Sequence, residues 1–574
     1  MIEKLRNQLS QLPLHTKLML GVLLIALVLR VWGIWFGLPF IYHNDEGNEV
    51  IRALQLASGS FDFSRVSKGG YFYVLFVEYG FLFAAMYLGG LVKTANDFAI
   101  YFIQDPSAFY LLGRATTAIL GTATVYLAYR ITLMTFTPRA AVFSAAFVAF
   151  NILHAQLSHY ITVDVPMVFL SMGSLLFALR IQRSGSTKDY IFAALLAAMA
   201  TATKITAILL LPSLVIAHIF WISSSGAGTK GYLLDRRLLL AAVVFTVSYL
   251  ALSPGFIVNF VPLMSHIFRI FGLGSETIAV SEASVMTMSQ ETNLVLFYAS
   301  KIAQSTTLPV FLIFCGGLGY ALWKRTSTDY ILLVFGIATF VFMAMSSDQQ
   351  LFFPRYVLAC IPVFAILAGR WLDSLLAYAP AKHAPAISLA VFIALSIAPV
   401  YAIASNNHLA VQKDTRTFAK EWFDRAVPAG SKVFIEGFEG HLYQGTVPLN
   451  FSKENLSLIL DSHKGTDKGK ARYFQLAIKA NRGKTFDLYS VSPAELQPLD
   501  YYKANEVEYF VIRPDRYSNS RMRRDWSQLL VELANDPDLV VIERFAPEDE
   551  KTPGPLIEVY RNLGVGPATN VSDN

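Results

Sequence analysis

The hydrophobic pattern of this 574-residue chain changes character near residue 406. Before that point long apolar runs follow one another with short polar breaks, and after it apolar positions recur at helix or strand spacing among charges. Runs at 18–36, 71–92, 110–133, 140–158, 165–181, 190–203, 206–222, 238–256, 307–323, 330–346, 353–371 and 386–404 approach the length a bilayer-spanning helix needs. The tail reads as mixed α/β, with helices at 414–426 and 524–534, strands at 432–436 and 507–513, and a terminal strand pair at 539–545 and 556–561. The lysine-rich HKGTDKGKAR at 463–472 reads as a solvated loop. The pattern therefore predicts a polytopic α-helical membrane domain over 1–405 and a soluble α/β domain over 406–574.

Composition narrows the class. With 54% hydrophobic and 15% charged residues, and a mean hydropathy of +0.45, the chain is neither a soluble enzyme, a disordered protein nor a nucleic-acid binder. The net charge of +6 divides into +8 before residue 406 and −2 after it, so the basic excess belongs to membrane loops. Cys315 and Cys360 both sit in apolar runs, which leaves no disulfide framework. The first run is long enough to act as an uncleaved signal anchor.

Loop charges then predict a topology. If 71–92 does not cross, the N-terminus and the loops near 134–139, 182–189, 223–237, 324–329 and 370–385 share one side, with 15 basic and 5 acidic groups. That asymmetry satisfies the rule that Lys and Arg stay cytoplasmic. Eleven spans follow, with 71–92 as an interfacial helix on the outer face. The expected setting is the cell (inner or plasma) membrane, with a cytoplasmic N-terminus and an extracytoplasmic tail. Chemistry is then expected on the outer side, from segments 37–109, 257–305 and 406–574.

Two acids stand out there. HNDEGNEVIRALQLASG at 43–59 places Asp45 and Glu46 just after the first span, at the start of a short amphipathic helix that Gly59 ends. Asp45 reads equally as a general base and as an acid favoured by the helix dipole. HYITVDVPMVFL at 159–170 returns Asp164 to the same surface, where it also suits a helix cap ahead of Pro166. The cations on that face are Arg65, Lys68, Arg114, Lys204, Arg269 and Arg355. Each reads as a snorkelling side chain or, around two acids, as part of a site for an anionic membrane-borne substrate. Arg30, inside the first span, has the same two readings. His43, His159 and His266 lack metal-ligand spacing. Neither a GxxxxGK phosphate cradle nor a dinucleotide fingerprint is present.

These motifs, together with the Arg114-to-Gly121 helix ending in VYLAYRI and the RYVLACIP helix, resemble integral-membrane glycosyltransferases of the GT-C class. The resemblance is to glycosyltransferase family 39, which groups dolichyl-phosphate-mannose protein mannosyltransferases and bacterial lipid A aminoarabinose transferases, and it covers most of 15–405. The tail from DTRTFAKEWFDRAVPAGSKVFI is similar to the exterior domain of bacterial members. The resemblance implies a polyprenyl-phosphate sugar donor, inversion at the anomeric carbon, and an acceptor that is a protein, a glycolipid or a cell-envelope glycan. It implies Asp45 as the base with Glu46 beside it, Asp164 orienting a substrate, and Arg114, Lys68, Arg355 and Lys204 as candidates for the donor phosphate. Many members carry a Pro-Pro pair where this chain has SKGGYFYV. No cofactor is expected to be required, although other GT-C enzymes use a divalent cation. The rival class is a transporter of an anionic solute or lipid-linked sugar, which would place ionisable groups at span midpoints and show symmetric halves.

Overall fold

A computed structural model describes residues 11–43, 45–59, 70–225, 231–260, 293–345, 353–436, 447–465, 467–491, 496–514, 524–548 and 551–566. The longer helices of the apolar body are α1 Leu14–Val31, α2 Glu46–Ala57, α3 Gly70–Leu88, α4 Ala95–Gln104, α5 Ser107–Thr135, α6 Pro138–Ala149, α7 Ile152–Leu157, α8 Asp164–Ser184, α9 Thr187–Thr203, α10 Leu211–Ser225, α11 Arg236–Leu252, α12 Leu294–Ser305, α13 Leu308–Lys324, α14 Ser327–Met345, α15 Cys360–Leu376 and α16 Ala384–Ala410. The tail contains α17 Thr415–Ala426, β1 Lys432–Glu436, α18 Lys453–His463, α19 Lys468–Ala480, β2 Asp487–Val491, α20 Leu499–Ala504, β3 Tyr509–Ile512, α21 Arg524–Asn535, β4 Leu539–Phe545 and β5 Ile557–Asn562.

Every predicted apolar run carries a helix. Among the described residues, seven helical runs are long and apolar enough to cross a membrane, and the segment starting at Gly70 is one of them. Several others fall short because the chain breaks inside the run. Phe150 and Asn151 separate α6 from α7, and Lys204 interrupts the path from α9 to α10 in an extended conformation, followed by a 3-10 turn at Ile205–Leu210. The hydroxyls of Thr201 and Thr203 bond back to Ala197 and Met199, a pattern that weakens the last turn of a helix.

Helix α3 meets α5 only near the start of that helix. Tyr71 Oη bonds Thr117 Oγ1 at 2.6 Å and the Gly113 carbonyl at 3.0 Å, and Glu78 accepts from Thr116 at 2.5 Å. Gly113 permits this approach, since a Cβ there would lie 2.8 Å from Ile161 and 3.0 Å from Leu75. Gly121 similarly lets the Ser158 hydroxyl come against the α5 backbone. Arg30 does not snorkel: it is fully buried and donates to the carbonyls of Val148 and Ala149 at the end of α6 and to His154 Nδ1. A cation suits the carbonyls left unpaired at a helix C-terminus.

The tail is a five-stranded sheet of order β2-β1-β3-β5-β4. β1 pairs parallel with β2 and β3, and β5 pairs antiparallel with β3 and β4. The predicted strands all form, while β2, α18, α19 and α20 emerge in addition. Much of 463–472 is helical and not loop, because Asp467 caps α19 through the amides of Gly469 and Lys470. Helix α16 runs through position 405 to Ala410, so the two bodies are joined by a continuous helix.

One buried apolar cluster joins the bodies, running from Tyr71, Leu75 and Phe109 to Phe423, Phe451 and Phe474. Polar ties reinforce it. Tyr42 Oη bonds Thr417 Oγ1 at 2.7 Å, and the Arg416 guanidinium lies 3.8 Å from the Tyr42 ring centre. The tail is thereby fastened beside the loop that carries His43 and Asp45.

Candidate active site

Four side chains from four separate segments converge. Asp45 precedes α2, Asp164 opens α8, Lys204 sits at the break after α9, and Arg355 lies in the 3-10 turn Pro354–Val357 ahead of α15. Lys204 Nζ bonds Asp164 Oδ1 at 2.6 Å. Arg355 bridges the two acids: its Nη1 bonds Asp45 Oδ2, and its Nε lies 3.9 Å from Asp164 Oδ2. Asp164 is 3% exposed and Asp45 41%, so Asp45 is the more open of the two carboxylates.

Neither acid caps its own helix; Asp45 occupies the N-cap position of α2 without a side-chain cap bond, and α8 likewise has none. The capping reading of Asp164 therefore has no support in the geometry, while Asp45 does stand at the helix N-terminus where the dipole favours an acid. The cations are held from behind by rings, Lys204 Nζ at 4.8 Å from the centre of Tyr356 and Arg355 at 4.2 Å from Phe353. Such contacts orient a cation while leaving its donors for an anion.

Glu46 and Arg114 do something different. Arg114 is fully buried and makes a two-pronged pair with Glu46, Nε to Oε1 at 2.8 Å and Nη2 to Oε2 at 2.7 Å. Its Nη1 donates to the carbonyls of Ile34 at 2.7 Å and Phe36 at 2.9 Å, and its carbon lies 3.9 Å from the Phe36 ring centre. Glu46 also accepts from the Ile161 amide at 3.1 Å. The pair locks the end of the first span, the start of α2 and the approach to α8 together. This differs from the expectation for Arg114: fully buried and bonded through all three nitrogens, it presents no exposed surface to a donor phosphate.

Lys68 and Arg65 lie outside the described residues, as do His266 and Arg269. Among the described residues no three His, Cys, Asp or Glu side chains converge as metal ligands would. His43 stacks on Tyr160 with ring centres 4.1 Å apart, and its Nδ1 is buried without a partner among the described residues. Burial pushes its pKa down, against the opposing pull of Glu46 and Asp45, with Arg355 and Arg114 adding to the depression. His43 thus sits beside the acids as a neutral ring. Sequence reasoning did not single out Tyr356, although RYV places it next to Arg355.

A family model described as dolichyl-phosphate-mannose-protein mannosyltransferase matches residues 111–253, which include Arg114, Asp164 and Lys204. No curated protein matches the chain. Among solved structures, ArnT from Cupriavidus metallidurans in the apo state aligns over 96% of this chain and 99% of its own, at 15% identity and a TM-score of 0.50. The same protein bound to undecaprenyl phosphate aligns over 98% and 99%, at 16% identity and a TM-score of 0.48. The Archaeoglobus fulgidus oligosaccharyltransferase AglB, in complex with an inhibitory peptide and a dolichol-phosphate, aligns over 87% of this chain and 69% of its own, at 13% identity and a TM-score of 0.45. The helical body with its small C-terminal sheet domain is thus an ArnT-like GT-C fold over nearly its whole length.

Proposed function

We propose that this chain transfers a sugar from a polyprenyl-phosphate carrier to an acceptor nucleophile, with inversion at the anomeric carbon. The observation that carries the reading is the convergence of Asp45, Asp164, Arg355 and Lys204, two acids and two cations drawn from four segments. Asp45 takes the acceptor proton, the acceptor atom bonds the anomeric carbon, and the bond from that carbon to the phosphate oxygen breaks. The electron pair leaves with the polyprenyl phosphate, a stable anion that needs no general acid. Arg355 and Lys204 neutralise this leaving group.

The resting site is electrically balanced, so a phosphodiester enters by exchanging partners. When Arg355 turns from Asp45 to the phosphate, Asp45 loses its counter-charge and becomes the stronger base. Donor binding and base activation are coupled in this way by one side chain. Asp164 keeps Lys204 placed through the 2.6 Å bond. Glu46 and Arg114 are architectural.

Purified protein given radiolabelled polyprenyl-phosphate sugars and cell-envelope acceptors is expected to transfer label. Arg355→Gln and Lys204→Gln should each reduce kcat by roughly 100-fold or more, the usual cost of losing a preorganised partner of developing charge. Solute flux into liposomes without any transfer would overturn the reading in favour of a transporter.

The site and tail are placed on the extracytoplasmic side of the cell membrane, on the strength of the loop charges. In a background lacking Cys315 and Cys360, cysteines at Lys93 and Asp461 should label from outside intact cells and one at Lys324 should not. Labelling of Lys324 from outside would invert the topology.

A further inference from the structure

A cavity of about 470 Å³ opens between the two bodies and is lined by none of Asp45, Asp164, Lys204 or Arg355. That volume falls within the roughly 300–1,000 Å³ of small-molecule sites. Its walls come from the first loop and the end of α4 on one side, and from the segments flanking α18 and α19 on the other. Phe40, one of its residues, precedes Asp45 by a short stretch that includes Tyr42, itself bonded to the tail.

Three rings, Phe40, Tyr101 and Phe451, line it together with the amides of Asn450 and Asn481. The amides are preset. Asn450 Nδ2 donates to the Lys484 carbonyl at 3.1 Å and Asn481 Nδ2 to the Phe451 carbonyl at 3.0 Å, which leaves each amide oxygen to accept from a ligand. Asp105 adds a further acceptor and Arg482 further donors. Ring faces beside fixed acceptors and donors match a molecule with apolar C–H faces edged by hydroxyls.

Charge selects further. Of the two cations in the wall, Lys420 is held by Asp424 at 2.5 Å, and Arg482 shares the wall with one carboxylate, Asp105, so the formal charges offset. The cavity therefore lacks the net positive charge that a phosphate group calls for. None of its lining residues belongs to β1–β5, and the backbone around Phe451 is already paired with Phe486, which leaves little strand edge for an extended peptide.

We propose that this interdomain cavity is a saccharide subsite, holding a neutral sugar ring of the acceptor while the acceptor nucleophile sits at Asp45. The inference rests on the glycosyl-transfer reading and narrows its acceptor to a glycan or glycolipid.

The test uses full-length Asp45→Asn protein in detergent micelles and saturation-transfer NMR with three soluble trisaccharides: a neutral hexose, an N-acetylhexosamine and a uronic acid oligomer. One of the two uncharged probes is expected to bind, and Tyr101→Ala and Asp105→Asn should each weaken that binding about tenfold. Binding of none of the probes, binding unchanged by both variants, or preference for an extended peptide added in competition would each overturn the subsite. Donor-dependent transfer by the wild type is measured in parallel. Transfer without saccharide binding removes the subsite alone. Saccharide binding with no transfer removes the transferase reading and leaves the cavity assignment standing.

Discussion

Asp45→Asn is expected to lower sugar transfer by about 100- to 10,000-fold, the range associated with loss of a positioned base, while leaving the protein folded. The amide keeps the shape of the carboxylate but can neither take a proton nor respond when Arg355 moves away. Asp45 is 41% exposed and its pair with Arg355 is partly solvated, so removing its charge costs little stability. Thermal unfolding of wild type and variant in the same detergent should therefore nearly coincide. Donor binding should persist, since Arg355 and Lys204 are both retained, and the freed Arg355 should hold the phosphate at least as tightly. Transfer at the wild-type rate by Asp45→Asn would refute the assignment of this residue as the base.

Glu46→Gln is expected to do the reverse, striking stability first. Glu46 and Arg114 are both fully buried and bonded through two prongs. Neutralising Glu46 leaves a guanidinium without a counter-charge, which costs about 3–5 kcal/mol in buried pairs. Arg114→Met should cost a similar amount by stranding the carboxylate. The double variant Glu46→Leu with Arg114→Met should recover much of the loss, because a buried pair replaced by apolar groups of similar volume is often neutral. Differential scanning fluorimetry on the four proteins checks the cycle. If Arg114 instead served the donor phosphate, the single Arg114→Met variant would unfold like the wild type and lose donor affinity alone.

The two adjacent acids thus separate by environment. Asp45 and Glu46 stand side by side in the sequence, yet the turn into α2 sends one to an open, bridged position and the other to a buried clamp. Nothing in the motif itself distinguishes them. Burial of the Glu46–Arg114 pair decided the matter, and that burial depends on Ile34 and Phe36 from the turn after the first span and on Ile161 from a distant one.

Local signals were strong where a residue's role depends on its neighbours in sequence. The helix at Glu46–Ala57 follows from the spacing of Val50, Ile51 and Leu54 and the stop at Gly59, whose φ of +69° suits glycine. The strands at 432–436, 539–545 and 557–562 follow from β-branched and aromatic runs. Asp467 was overlooked as a helix cap because the surrounding lysines dominated the pattern, although capping is itself a local effect. The short β2 was missed because DLYSV carries too little apolar character alone and gains its place by pairing with β1.

What the amino-acid sequence by itself determined was the contrast between an apolar body and a polar tail, the positions of the long apolar helices, and the identity of the acids and cations on offer. Hydrophobic periodicity and charge are properties of short stretches, so they can be read along the chain. Which cation meets which acid was decided only by tertiary structure. Arg355 lies 310 positions from Asp45 and Lys204 lies 40 from Asp164, and a charge in sequence carries no record of its partner. The contrast between Arg355 and Arg114, the one partly exposed and the other sealed, arises from packing between distant helices.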